Sequence, residues 1–331
     1  MRIAVDVMGG DYAPLEIVTG ALEAANTFPE LKLILVGDEQ AIRETKINLP
    51  ANISIKHTKE YITMDEAPVL AIRRKPEASI VLATKMVRNG DVQAIVSAGS
   101  TGAQMTAAVL FLGKISGVER PAIVTVYPTL TGGKLVLDVG ANTDCNANML
   151  LQFAYMGNVY AENVMGFSNP RVALLNNGSE ETKGNPLTKE VYKLLKDAKL
   201  NFIGNLEGRD IIQGNYEVLV CDGFVGNVVL KLSEGLAFGI MGMLKKEFSS
   251  NILTKIGAAL VIPGLKRMKN MLDYAEYGGA PLLGVKGVSV ICHGSSKAKA
   301  IKNAIRVAKD CVTNDFVAKT ENIFGGVKNN D

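Results

Sequence analysis

Six short apolar runs in this sequence end in loops rich in Gly, Asn, Ser and Asp, at Asp6, Ser97, Asp138, Asn176, Asp222 and His293. Such residues just past the carboxyl end of a strand suit anion chemistry, because glycine lets the backbone fold round a ligand and present its N–H groups. The stretch Val218-Leu-Val-Cys-Asp-Gly-Phe-Val-Gly-Asn-Val-Val-Leu-Lys231 carries the pattern most fully. A β-branched run breaks at Asp222-Gly223, turns through Gly226-Asn227 and becomes a long apolar helix. A helix entered through glycine offers unpaired N–H groups and the positive end of its dipole. Asp222 also reads as a plain Asp-Gly turn, a reading weakened by the recurrence of the pattern along the chain. Lys183, in Lys183-Gly184-Asn185, and Lys231, one helical turn beyond Asn227, supply cations for an anionic substrate. Arg73, Arg74 and Lys75 form a further basic cluster near a helix end. His293, ahead of Gly294-Ser295-Ser296, suits either proton transfer or a structural hydrogen bond, while His57 sits in an ordinary polar stretch.

The motifs that are missing narrow the chemistry. Neither a phosphate-binding G-x-x-x-x-G-K-[ST] loop nor a G-x-G-x-x-G after the first strand is present, which lowers nucleotide hydrolysis and simple dinucleotide binding. With no G-x-S-x-G elbow, no Cys-His signature and only 2 histidines, a catalytic triad is poorly supported. The 4 cysteines lie far apart and match no metal spacing, so neither metal nor cofactor is expected. A net charge of +3, without a recognisable nucleic-acid motif, gives no argument for a nucleic-acid partner. Free, buried thiols suit a reducing cytoplasm.

These loops need a sheet to hold them. The 331 residues, 47% of them hydrophobic, can bury a large core. Strands are expected at 3–5, 31–36, 53–55, 94–96, 134–137, 172–175, 202–203, 218–221 and 288–292, alternating with helices. That alternation predicts one α/β domain over 1–331, with a largely parallel sheet covered on both faces and the loops gathered at one rim. The rhythm breaks over 235–277, where two consecutive apolar helices turning near Ser249-Ser250-Asn251 form an arm. Its apolar surface predicts burial against a second subunit, and Lys266, Arg267 and Lys269 border an apolar patch that suits an anionic membrane surface or an acidic partner. The chain enters its first strand at once, so no signal peptide is expected, and no apolar run is expected to reach the ~20 residues that span a bilayer.

Taken together and in order, several motifs resemble one family. They are Asp6-Val-Met-Gly9-Gly10-Asp-Tyr-Ala-Pro14, Ser97-Ala-Gly99-Ser100-Thr101-Gly102-Ala103, Asp138-Val-Gly-Ala-Asn142, Lys183-Gly184-Asn185, the stretch from Asp222 to Lys231, Tyr277-Gly-Gly-Ala-Pro-Leu-Leu-Gly284 and His293-Gly-Ser-Ser296. This set resembles the bacterial phosphate acyltransferase of phospholipid synthesis, the PlsX family. Tyr12 stands where that family often has histidine, and Ser100 replaces a frequent asparagine. The resemblance implies transfer of a fatty acyl group from acyl carrier protein to inorganic phosphate, giving acyl phosphate. A glycerol-3-phosphate acyltransferase would act downstream. It also implies a three-layer α/β/α fold with a mixed, largely parallel sheet, akin to isopropylmalate dehydrogenases and phosphotransacetylases, with dimerisation through the arm and peripheral membrane association of a cytoplasmic protein. The carrier protein in this system is acidic, which makes Lys266, Arg267 and Lys269 docking charges.

In that chemistry phosphate is itself the nucleophile, so the protein has to hold a dianion beside a thioester and stabilise an oxyanion. Lys183, Asp222 and His293 are the candidate catalytic groups. Gly9, Gly10, Ser97, Gly99, Ser100, Thr101, Gly102, Asn142, Gly184, Asn185, Gly226, Asn227 and Lys231 are the candidate phosphate and substrate contacts. The rivals are a phosphotransacetylase-like enzyme using acyl-CoA, a nucleotide-dependent dehydrogenase, and a non-catalytic acyl-lipid or membrane-binding scaffold.

Overall fold

The β-branched runs become the strands of one 11-stranded sheet. They are β1 (Arg2–Asp6), β2 (Lys32–Gly37), β3 (Ile53–His57), β4 (Ala94–Ser97), β5 (Ala122–Thr129), β6 (Gly132–Leu137), β7 (Arg171–Asn176), β8 (Asn201–Glu207), β9 (Val218–Val220), β10 (Ala280–Leu283) and β11 (Val288–Ile291). This computed structural model describes residues 1–272 and 274–326, with side chains from 266 to 274 left out.

Across the sheet the order is β3-β2-β1-β4-β11-β10-β5-β6-β9-β7-β8. The first five strands in that order run parallel to one another. The last four, β6-β9-β7-β8, are likewise parallel. Between them β10 is antiparallel to both β11 and β5, and β5 is antiparallel to β6. Three reversals leave the two parallel halves pointing in opposite directions. The sheet is therefore mixed and mostly parallel, with helices on both faces.

Side chains alternate across the strands, as the pleat requires. Ile3 and Val5 join one buried cluster with the helices Leu15–Thr27, Ala147–Asn163, Pro186–Asp197 and Ala298–Thr313. Ala4 faces a second cluster, under Ser79–Arg88 and Thr101–Ala107. Over the β6-β9 half that second face is covered by residues 108–112, the short 3-10 helix Gly208–Gln213 and the second turn of the helix Gly223–Phe248.

One ion cluster pins the β6-β9-β7 half. The Glu217 carboxylate, just before the middle strand, accepts from Lys134 Nζ on one neighbour at 3.0 Å and from Arg171 Nε and Nη2 on the other at 2.9 and 2.8 Å. Burial works to raise its pKa, but Arg171 and Lys134 outweigh it and hold the carboxyl down to about 2. A carboxyl depressed on folding stabilises the fold above its ordinary range, and that contribution is lost as pH falls through about 2. Glu217→Gln strands Lys134, itself 5% exposed, without its anion. It is expected to cost ~3–5 kcal/mol in a denaturant melt at neutral pH, the range for breaking a buried pair. The difference from the wild-type chain should shrink as pH falls through about 2, where Glu217 becomes protonated in the folded wild-type chain.

Candidate functional site

The loops following β1, β4 and β11 converge on one edge of the sheet. At the end of β1, Asp6 is 2% exposed, and its Oδ2 accepts the Ser97 hydroxyl from the end of β4 at 2.7 Å. Its Oδ1 accepts from Met8 N at 3.2 Å, while Ser97 Oγ accepts from Gly99 N at 3.0 Å. Burial pushes the Asp6 carboxyl pKa up, against hydrogen bonds from Ser97 and Ser79. Gly9 is glycine for a visible reason: a Cβ there would stand 2.6 Å from Gly99 Cα and 2.8 Å from Asp6 Oδ2. The two glycine loops thus touch directly over a buried carboxylate. Gly10, at φ +107°, lies against the Gly294 carbonyl, to which Asp11 N donates at 2.8 Å. That bond brings in the loop after β11. His293 is exposed, with Nδ1 accepting from Ser295 N at 3.2 Å and lying 2.7 Å from Ser295 Oγ. Nδ1 is therefore an acceptor, and a neutral ring carries its proton on Nε2. Ser100 caps the helix Thr101–Ala107, whose first N–H groups belong to Thr101 and Gly102.

The loops following β6, β9 and β7 converge on the opposite edge. Asp138 is fully buried, with Oδ1 accepting from the N–H groups of Ile123, Gly140 and Ala141 and Oδ2 from the backbone and side-chain nitrogens of Asn142. Burial pushes this carboxyl's pKa up as well, and those donors oppose it. Gly223 and Gly226 let the start of the long helix press on this loop: a Cβ on Gly223 would lie 2.6 Å from Asn142 O, and one on Gly226 would fall on the Asp138 carbonyl. Asp222 is the cap of that helix, its Oδ1 accepting from Val225 N at 2.8 Å. Gly223 N donates to Asn142 O at 2.7 Å, and Asn227 Nδ2 to Val139 O at 3.1 Å. Lys183 is exposed in the loop after β7, where Asn185 caps the next helix and Gly184 has φ +99°.

Two expectations change here. The six loops do not share one rim. Ser97 and Asp138 end strands that point opposite ways and lie four spacings apart, roughly 19 Å at ~4.8 Å per strand. Gly9, Gly10, Ser97, Gly99, Ser100, Thr101, Gly102 and His293 fall on one edge, and Asn142, Lys183, Gly184, Asn185, Asp222 and Gly226 on the other. Two donors at the start of the Asp222 helix are also in use: Gly223 N serves Asn142, and Val225 N serves Asp222 itself. Glycine there permits close packing against the neighbouring loop.

The helix Gly223–Phe248 links the two edges. It starts beside Asn142, passes Val139 at Asn227, and reaches Tyr127, whose hydroxyl is 2.7 Å from Ser233 Oγ. Tyr127 pairs with Lys134 near the start of β6, so the helix has crossed the face by then, about 16 Å at 1.5 Å per residue. Lys231, exposed, lies near the end of that crossing. Beyond Ser233 the chain stands out from the edge carrying Asp6, Ser97 and His293. It returns through Ile252–Leu272 to Tyr277, whose ring packs on Gly133, while Glu276 Oε1 accepts from Lys299 Nζ at 2.6 Å. By length and composition the helix Gly223–Phe248 could cross a membrane, with 6% of its apolar window buried, which corrects the expectation of no such run. In the sequence, Lys231 and Glu234 interrupt the apolar residues of this segment. The side chains of Lys266, Arg267 and Lys269 lie outside the described residues.

Three groups are not among the site residues expected from the sequence. Asp6 and Asp138 act as buried anchors beneath glycine, a role that the shared Asp-Val ahead of glycine could have signalled. Lys297, whose Nζ lies 5.3 Å from the Tyr12 ring centroid, has no signal in local spacing because its partner is distant in sequence.

Comparison with known proteins adds to this geometry. A family model described as fatty acid synthesis protein matches residues 1–319. A phosphate acyltransferase of Heliobacterium modesticaldum is 56% identical over 330 residues, 98% of each chain. One from Desulfitobacterium hafniense is 57% identical over 320 residues, 96% of each. Among solved structures, the EutD phosphotransacetylase from Staphylococcus aureus matches with a TM-score of 0.59 at 17% identity, covering 94% of each chain. A 4-hydroxythreonine-4-phosphate dehydrogenase from Klebsiella pneumoniae matches at 0.51 and 15% identity, covering 93% of this chain and 99% of its own. At such identities the solved structures show the fold alone.

Proposed function

Because the chain belongs to the fatty acid synthesis protein family, with phosphate acyltransferases over half identical to it along nearly its full length, we propose that it takes a fatty acyl group from acyl carrier protein and transfers it to inorganic phosphate. It is an acyltransferase, and phosphate is the acceptor. That identity over 98% of the chain carries the reading.

The reaction centre is assigned to the edge where the loops of β1, β4 and β11 meet. A phosphate oxygen attacks the thioester carbonyl, and a tetrahedral oxyanion forms. Its collapse breaks the carbon–sulfur bond, leaving acyl phosphate and the carrier thiolate, which takes up a proton. Glycine-loop N–H groups and the Thr101 helix start suit the phosphate dianion and the oxyanion. His293 stands where it can pass a proton to the departing sulfur. The chemistry itself calls for neither metal nor cofactor.

Lys183, Gly184, Asn185 and Lys231 are assigned to the far part of the same substrate path, along the crossing helix, while Asn142, Asp222, Gly226 and Asn227 hold the start of that helix against the Asp138 loop. A long acyl chain on a pantetheine arm is long enough to reach from one edge towards the other. The arm is assigned to a second copy of the chain and to the surface of an anionic membrane, with Lys266, Arg267 and Lys269 bordering that contact. Exposed Phe238 (76%), Leu253 (77%) and Leu260 (80%) call for such cover. Acyl phosphate made there would pass to a glycerol-3-phosphate acyltransferase, in a cytoplasmic, peripherally bound setting.

The deciding assay supplies long-chain acyl carrier protein with and without phosphate. Release of free carrier thiol only when phosphate is present is the expected result. Equal turnover of acetyl-CoA would favour a phosphotransacetylase-like enzyme, and no turnover of either would leave a binding scaffold.

A further inference from the structure

We propose that the exposed face of the helix Pro68–Arg74 is the docking surface for the acidic carrier protein. The inference rests on acyl carrier protein being the donor, as argued above.

This helix roofs the edge assigned to the reaction. Its first residue touches the start of the Thr101 helix: a Cβ on Gly102 would stand 2.7 Å from Pro68 Cγ. The loop leading into it reaches the His293 loop, with Met64 Cε 2.7 Å from where a Cβ on Gly294 would be. On its inner side Ala71 and Ile72 are 3% and 4% exposed. On its outer side Val69 and Leu70 are 48% and 51% exposed, each followed four residues later by an exposed arginine, Arg73 and Arg74. Side chains four apart share a helix face, so two aliphatic and two guanidinium groups form one patch.

The charge of that patch is uncommitted. Among the described residues neither Arg73 nor Arg74 makes an ion pair, whereas the adjacent Lys75 is held by Glu66 at 2.7 Å and by Tyr61 O at 2.9 Å. The nearby acids already have partners: Glu66 serves Lys75, and the exposed Asp65 accepts from Thr63 Oγ1 at 2.6 Å. Two bare guanidinium groups beside aliphatic surface fit an acidic helical partner that also carries apolar side chains. Arg73 lies five residues from Pro68, about 7–8 Å along the axis, so a partner seated here is close to Gly102 and His293. Its tethered thioester can then reach the start of the Thr101 helix beside the glycine loops.

The test is Arg73→Glu with Arg74→Glu in the full chain, with long-chain acyl carrier protein and phosphate varied in turn. The expected result is a KM for the acyl carrier raised at least about 10-fold, as for loss and reversal of two interfacial charges. The KM for phosphate and the melting midpoint should stay at wild-type values, and Arg73→Lys with Arg74→Lys should recover most of the carrier affinity. An unchanged carrier KM overturns the assignment. So does a change that follows the phosphate KM equally, since that marks damage to the cradle. Loss of sedimentation with phosphatidylglycerol vesicles at an unchanged carrier KM would assign the patch to a lipid surface instead. If the wild-type chain itself releases no thiol from acyl carrier protein, the donor reading has failed, and the docking surface with it.

Discussion

Asp6→Asn is expected to lower phosphate-dependent turnover by about 10²-fold while the chain stays folded, since a displacement of ~1 Å among reacting groups is enough for such a loss. Asp6 holds two glycine loops together: one oxygen takes the Ser97 hydroxyl and the other takes Met8 N, with Gly9 and Gly99 packed directly above. Asparagine has the same shape and only one acceptor oxygen. If its nitrogen faces Ser97, the hydroxyl proton loses its acceptor, although the oxygen, already bonded to Gly99 N, can take the amide as a second donor. If the amide flips, the same nitrogen meets Met8 N–H. Either way a buried donor loses its acceptor, and the loops move apart. The fold itself should lose little. Burial raises the Asp6 pKa, so ionising it costs stability as pH rises past the ordinary carboxyl range, and a neutral amide removes that cost. Initial rates against phosphate concentration, beside a thermal melt at pH 7, test both halves of the claim. A kcat/KM for phosphate within threefold of wild type would mean that the reaction lies elsewhere.

The loops were legible in the sequence because their physics is local. A β-branched run followed by glycine and a capping residue announces itself over about six positions, and the strands at Asp6, Ser97, Asp138, Asn176, Asp222 and His293 all form there. The direction of each strand was not legible. Nothing in the composition of Ala94–Ser97 or Gly132–Leu137 says which way it runs relative to the other. That is decided by β10 and β5, the two strands the sequence reading did not identify. β10 is only Ala280-Pro281-Leu282-Leu283, and its proline and flanking glycines read as a turn. β5, Ala122–Thr129, ends in Pro128-Thr129 and enters a hairpin at Thr131, with no helix to mark its start. Both run antiparallel to their neighbours, so omitting them turned two opposed halves into one rim. Caps were similarly ambiguous. Asp222 and Asn185 have the residue types of a ligand site and of a helix N-cap alike, and the structure employs their side chains as caps.

Lys183→Ala tests whether the second edge takes part. Its loop follows β7, five spacings from β11 and thus roughly 24 Å across the sheet from the His293 strand. A phosphate ion cannot touch both. A carrier-bound fatty acyl thioester can, and the helix from Gly223 to Ser233 gives it a continuous surface to follow. Lys183 is exposed, its aliphatic stem lies across Gly178, and it forms no ion pair among the described residues, so its ammonium is available to an anionic part of the substrate. Losing one charge-assisted hydrogen bond, ~1.5–3 kcal/mol, should lower kcat/KM by about 10- to 10²-fold. Lys183→Arg keeps the charge and should recover all but a few-fold of that loss. Raising the salt concentration should narrow the gap between wild type and Lys183→Ala, because an exposed charge is screened within ~10 Å at 0.1 M. A Lys183→Ala enzyme within threefold of wild type at low salt would confine the substrate to the first edge, and the glycine turns at Asp138, Asn176 and Asp222 would then serve only to pack helices against the sheet.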